Sequence, residues 1–288
     1  LQSQTKFPSS LSIRFLLRHH RRTGDEQSLA MVTRTLEQMA AGGIHDQVGG
    51  GFHRYATDRA WLVPHFEKML YDNALLATAF LEAYQVTGRE DFAQVVRAIL
   101  HYAERDMTSP DGAFYSATDA DSPGPDGERE EGRFFTWTPD ELDAAIGSEG
   151  RGAVLAFYGV TESGNFEGRT ILSIPSPLGD VATELGIPAD ALRRTIDEAR
   201  ESLYTARAQR VPPLRDEKIL TAWNGLMISA FARAALVFHE PSYAMHATRA
   251  ADYVLTHLRR DGRLLRSALN GQAQQAGYLE DYAFLTAG

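Results

Sequence analysis

His53, His65, Glu67 and Asp72 fall in one stretch of the chain and are the residues best suited to proton transfer. Abstraction of a proton beside a sugar carbonyl needs acid and base groups on opposite faces of the substrate, and imidazoles titrate in the right range for that work. Glycoside hydrolysis needs instead a pair of carboxyl groups flanking the bond to be cut. Both sets are available here, and Asp119 adds a further carboxylate in the next long loop. The competing reading is structural: Glu67 and Asp72 cap or salt-bridge a helix start, and His65 satisfies backbone groups.

A second set of residues has the chemistry to hold a polyhydroxylated ligand. Arg54, Tyr55, Trp61, Tyr115 and Trp137 lie in or beside the same loops, with Asp121 two positions after Asp119. Asp216, Lys218, Trp223 and Asn224 form a later cluster, and Asn224 aligns with Asn73. Trp223 could stack on a sugar ring, or be core. Glu280 and Asp281 continue the pattern, Asp281 aligning with Asp72, so a ring of acidic residues at helix starts is expected.

Other chemistries are disfavoured. Gly49–Gly51 invite a phosphate cradle, but a cradle follows a strand and opens a helix, whereas this run follows a helix and leads into an aromatic loop. A tight turn is the better reading, with Asp46, Asp111 and Asp261 as turn residues in three copies. The loop from Asp119 to Glu130 approaches a calcium loop, except that Pro123 stands where an oxygen ligand is needed. With no cysteine, thiolate zinc sites and thiol redox chemistry are excluded. No metal and no cofactor is expected.

These residues are positioned by a repeat. Asn73–Phe80 aligns with Asn224–Phe231, and the match runs on through Phe92 with Tyr243 and Tyr102 with Tyr253 to the turns Asp111-Gly112 and Asp261-Gly262. An earlier copy runs from Leu11 through Thr23-Gly24 to Gly51-Phe52. Apolar residues recur at three and four, so each copy is a pair of helices. Loops within pairs are short, whereas the connections between pairs (42–64, 108–139 and 259–279) are long and must share one rim. Between copies, Thr138-Pro139-Asp140-Glu141 is a helix start, a second helix follows Pro188, and Thr170–Ile174 reads as a short strand. The expected fold is all-α: an (α/α)6 toroid of helical hairpins, incomplete in this chain, with short strands in the rim loops. About four and a half hairpins are expected, in a single domain spanning 1–288.

With 288 residues, 43% of them hydrophobic, the chain can bury a full core. A formal charge of −9 argues against a nucleic-acid partner. The basic run Arg18–Arg22 reads as a solvated helix end. No apolar run approaches the length of a membrane span, so no membrane partner is expected. No targeting signal is visible, and a cytoplasmic location is expected. The chain reads as a piece of a longer protein.

The segments Gly43-Ile44-His45-Asp46-Gln47-Val48-Gly49-Gly50-Gly51-Phe52-His53-Arg54-Tyr55 and Trp61-Leu62-Val63-Pro64-His65-Phe66-Glu67-Lys68-Met69-Leu70-Tyr71-Asp72 resemble the spermatogenesis-associated protein 20-like family. Asp119–Ser122, Gly164–Gly168, Lys218–Gly225 and Tyr278–Tyr282 extend the resemblance over nearly the whole chain. It implies a thioredoxin-like domain followed by a six-hairpin toroid like those of glycosidases and N-acylglucosamine 2-epimerases, of which this chain matches the toroid only. A sugar ligand and a thioredoxin-like domain of the same parent protein are therefore the expected partners. The expected function is sugar epimerase-, isomerase- or glycosidase-like acid/base chemistry, or else a non-catalytic module that binds a ligand or client. The resemblance carries over no catalytic residues of its own.

Overall fold

The structure is a computed structural model that describes residues 5–124 and 127–288. The first hairpin is α1 (Ser10–Thr23) with α2 (Glu26–Ala41), and the second is α3 (Leu70–Thr87) with α4 (Glu90–Asp106). Four helices follow, α5 (Pro139–Ile146), α6 (Arg151–Phe157), α7 (Leu178–Leu185) and α8 (Ala189–Arg207). The third hairpin is α9 (Thr221–Phe238) with α10 (Pro241–His257), and α11 (Leu279–Ala287) begins another. The turns inside the hairpins are short because α1 and α3 end on glycines in the left-handed region, Gly24 at φ 73° and Gly88 at φ 68°. His239, at φ 54°, takes that place after α9.

Helices α1, α3, α9 and α11 pack side by side as the inner wall, with α2, α4 and α10 outside them. This placement explains why α3 and α9 are apolar nearly all round: each is covered by an inner neighbour on both sides and by its own outer partner. Leu36, Leu76, Phe80, Phe92, Ile99 and Phe231 share one core, with Phe80 edge-on to Phe92 at 5.8 Å. Helix α9 does have the length and composition of a membrane span, 18 residues with mean hydropathy 1.2. The expectation that no segment approaches such a span fails there, and the reason is this packing against α3, α10 and α11.

The middle of the chain differs from the sequence reading in its role. Helix α9 packs directly against α3, so α5–α8 stand outside the wall as an insertion with their own core of Trp137, Leu142, Phe157, Leu192 and Leu203. Three complete hairpins and the start of another are present among the described residues. Apolar spacing predicts a helix but not the surface it covers. The capping box of Thr138 and Glu141 forms as expected. Thr170–Ile174 contributes a single bridge, Trp137 to Thr170, rather than a strand.

Short antiparallel strands tie the long loops together at the end of the wall where α3, α9 and α11 begin. β1 (Tyr55–Ala56) pairs with β2 (Pro64–His65). β3 (Lys68–Met69), β4 (Ala117–Thr118) and β7 (Arg215–Asp216) form one sheet in that order, and β5 (Asp121–Pro123) pairs with β6 (Arg129–Glu131). β8 (Ile219–Leu220), β9 (Arg259–Arg260), β10 (Arg263–Leu269) and β11 (Gln272–Ala276) form the last sheet, centred on β10. Positions 125 and 126 of the calcium-like loop lie outside the described residues.

Candidate functional site

The register of β1 and β2 sets Tyr55 opposite His65, and their rings stack at 4.9 Å with an interplanar angle of 18°. Two residues on, the backbone of Glu67 accepts a hydrogen bond from Arg54 N at 2.8 Å, which brings the two side chains together. Arg54 Nη1 then donates to Glu67 Oε2 at 2.9 Å. His65 lies between two carboxylates, its Nε2 3.3 Å from Glu67 Oε2 and its Nδ1 2.7 Å from Glu131 Oε1 on β6.

Asp72 follows in the first turn of α3. Burial pushes its carboxyl up to about 7; Tyr71 and Arg54 pull against this, while the charge of Glu67 adds to it. Its Oδ2 is buried with no hydrogen-bond partner among the described residues. Tyr71, which neighbours both Arg54 and Asp72, also packs on Trp223 with ring centroids 4.8 Å apart. The patch therefore joins a carboxyl that keeps its proton near neutral pH, an ion-paired carboxylate, an imidazole and a guanidinium, among the rings of Tyr55, Tyr71 and Trp223. Two carboxyls in different surroundings are the usual basis for dividing acid and base roles.

Other expected site residues are placed elsewhere. His53 lies behind the patch, 1% exposed, donating from Nδ1 to the Phe66 carbonyl at 2.9 Å and wedged edge-on against Phe66 and Phe135. Burial and the Lys68 charge push it down to about 3, so it is neutral and shut off from solvent. Asn73 and Asn224 are fully buried. Asn73 accepts from Phe52 N at 2.7 Å and donates to the carbonyls of Phe52 and Met69, both at 3.0 Å. Asn224 does the same with Phe114 N at 2.8 Å and the carbonyls of Phe114 and Leu220 at 3.0 Å. Trp137 is buried in the insertion under Arg210, and Trp61 is buried under Lys6.

Around the rim, charged candidates pair with one another or with neighbours. Asp119 meets Arg129 at 2.7 Å, Asp216 meets Lys218 at 3.0 Å, and Glu280 meets Arg266 at 2.9 Å. Asp121 sits in β5 and Tyr115 lies under Arg215. Asp281 is buried, accepting from Ala222 N at 3.0 Å and Tyr278 N at 2.7 Å. The expected ring of acids thus divides into helix caps, salt bridges and Asp72, which is hydrogen-bonded to Tyr71 and keeps Oδ2 without a partner among the described residues.

Spermatogenesis-associated protein 20 of Homo sapiens is 38% identical over 317 residues, which cover 98% of this chain and 40% of the relative, and that of Rattus norvegicus is 37% identical over the same shares. The chain is similar to spermatogenesis-associated protein 20 over nearly its whole length. It spans about 40% of the length of these relatives. No family model matches it. Among solved structures, an α-1,6-mannanase from Salegentibacter sp. is similar over 88% of this chain and 48% of its own, with 17% identity and a TM-score of 0.46.

The loop carrying His53 and Arg54 is fixed by a buried ionic centre that sequence reasoning missed. Asp46 Oδ2 accepts from Lys68 Nζ at 2.8 Å, and its Oδ1 accepts from Arg207 Nη1 at 2.8 Å. The two cations hold the Asp46 carboxyl well below the usual range in spite of burial. Burial brings Lys68 down to about 8, against the pull of Asp46. Lys68 also donates to the Gly50 carbonyl at 2.7 Å. A side chain at Gly49 would strike the Arg207 guanidinium, which explains a glycine there without any phosphate. Asp46 does hold the turn, accepting from Val48 N and Gly49 N. Its larger role was not legible, because Arg207 lies 161 positions away in the insertion. Tyr71 and Glu131 were missed for the same reason: nothing local marks them.

Proposed function

We propose that this chain performs acid–base chemistry on a carbohydrate at the patch formed by Arg54, His65, Glu67 and Asp72, with Tyr55 and Trp223 as ring platforms. The reading rests on Asp72, a carboxyl with no cap to make, raised toward neutrality and set beside an ion-paired carboxylate and an imidazole. Asp72 delivers the proton; His65, oriented by Glu67 and Glu131, receives one. Arg54 neutralises charge developing on a sugar oxygen. Epimerisation or isomerisation uses both roles at a carbon beside a carbonyl, and glycoside hydrolysis uses the two carboxyls.

A sugar library offered to the intact parent protein in deuterated water tests this. Deuterium incorporation beside a carbonyl identifies the isomerase form, and release of reducing ends identifies the hydrolase form. Either activity should fall by ~10²-fold or more in Asp72→Asn and His65→Ala. Turnover unchanged in both variants sinks the proposal. The commitment of Asn73, Asn224 and Asp281 to backbone favours a second reading, a non-catalytic module that binds a ligand or client alongside a thioredoxin-like domain of the parent protein. Binding that survives His65→Ala, with turnover in neither protein, supports it.

A further inference from the structure

Tyr71 lies in the first turn of α3, and its hydroxyl stands between two charged groups of the patch: it is hydrogen-bonded to the Arg54 guanidinium and to the Asp72 carboxyl. The direction of both bonds follows from what each group can do. A guanidinium has donors and no acceptor, so the Tyr71 oxygen accepts from Arg54. The single O–H of Tyr71 is then left for Asp72. Burial and the Asp72 charge push the phenol above its ordinary value, so it keeps this proton through the neutral range in spite of Arg54. Against partial burial, Tyr71 and Glu67 keep Arg54 charged.

Nothing else on the page of the patch replaces the bond to Asp72. Oδ2 has no partner among the described residues, so the Tyr71 bond falls on Oδ1. Burial raises the Asp72 carboxyl; besides Tyr71, Arg54 draws it down through its charge and Glu67 pushes it up. From α9 comes the uncharged Trp223, whose ring packs on Tyr71 with centroids 4.8 Å apart at an interplanar angle of 57°. The phenol ring is thereby held from a second helix. Arg54 in turn meets Glu67 at 2.9 Å, and Glu67 meets His65 at 3.3 Å. One chain of contacts thus runs Asp72, Tyr71, Arg54, Glu67, His65, and Tyr71 joins the carboxyl on α3 to the side chains of the loop. A donor to a carboxylate favours the ionised form, so this phenol opposes the burial that makes Asp72 hold its proton.

We propose that Tyr71 is a positioning residue: its hydroxyl holds Asp72 and Arg54 in register and sets how readily Asp72 releases its proton. Its consequence for turnover rests on the acid–base reading of the patch, whereas the hold on Asp72 is measurable without any substrate.

Infrared difference spectra of the intact parent protein, taken from acid to alkaline pH, test this. The protonated-carboxyl band that is lost in Asp72→Asn reports Asp72. Its midpoint should rise by about half a pH unit or more in Tyr71→Phe, which keeps the ring against Trp223 and removes only the hydroxyl. Tyr55→Phe removes a hydroxyl of the same patch that is not bonded to Asp72, and should leave the midpoint in place. Arg54→Gln should also raise it. The double variant Tyr71→Phe/Arg54→Gln should then rise by less than the sum of the two, because Arg54 acts in part through Tyr71. For any sugar turned over, the alkaline limb of kcat/KM should move upward with the band in Tyr71→Phe. No band lost in Asp72→Asn, an unmoved or lowered midpoint in Tyr71→Phe, an equal rise in Tyr55→Phe, or strictly additive rises in the double variant would each overturn the proposal. A raised midpoint in Tyr71→Phe with no sugar turned over supports the hold on Asp72 and overturns the acid–base reading instead. Turnover that falls in Asp72→Asn, beside an unmoved midpoint in Tyr71→Phe, does the reverse.

Discussion

Helices α3 and α9 begin in the same way and then diverge by one side chain. In both, an asparagine in the first turn clamps the preceding rim loop at Phe52 in one case and Phe114 in the other through two matching hydrogen bonds, and donates a third to the carbonyl four residues before it, Met69 or Leu220. One residue earlier, α3 has Asp72 and α9 has Trp223, while α11 has Asp281 at the corresponding place. Asp281 spends both oxygens, one on its own helix start at Tyr278 and one on Ala222 of α9. Asp72 leaves Oδ2 without a partner. The same residue type at the same step of the repeat is a structural cap in one helix and, in another, an acid that caps nothing and leaves one oxygen unpartnered. What separates them is the neighbour each meets, so repeat position alone does not assign chemistry.

The comparison can be broken most forcefully at the asparagines. Asn73→Ala and Asn224→Ala should each cost about 2–4 kcal/mol, because each strands buried backbone groups of a rim loop. Chemical denaturation should give similar losses for the two, and a loss at one position only would show that the clamps are not equivalent. Next in size, Asp72→Asn should reduce turnover by ~10²-fold, whereas Asp281→Asn should leave it within a few-fold. Equal losses of turnover would erase the distinction between acid and cap.

Stability against pH sharpens the same contrast. The folded-state value for Asp72, about 7, lies above the ordinary 3.8, so the folded chain holds this proton more tightly than the unfolded chain does. Its contribution is therefore best at low pH, declines as pH rises from 3.8 toward 7, and stays lost above that. Asp72→Asn should remove that decline and be more stable than the parent by about 1–3 kcal/mol at pH 8, with little difference at pH 4. Melting curves at the two pH values measure it, and a variant less stable than the parent at pH 8 contradicts the assignment. Smallest of all, Asp281→Ala should cost about 1–2 kcal/mol through its lost caps. A larger cost would mean that Asp281 also anchors α11 through Arg266, which lies 3.8 Å away.

Local physics made much of this protein readable from its residues. Helical periodicity, the glycine-ended turns, the capping box at Thr138 and the alignment of Asn73 with Asn224 are all set by side chains a few positions apart or by direct repetition. The hairpins of the toroid and the shared rim of long loops followed from them. His65, Glu67 and Asp72 were legible as a group because all three fall close together in the chain, from the end of β2 to the first turn of α3. The tertiary structure alone decided which of the candidates are free. It buried His53 among Phe66 and Phe135, tied Asp46 to Lys68 and Arg207, set α5–α8 outside the wall, and brought Tyr71 onto Trp223. Each of these outcomes depends on groups far apart in the chain, where burial and the charge of a distant partner outweigh any preference a residue has by itself.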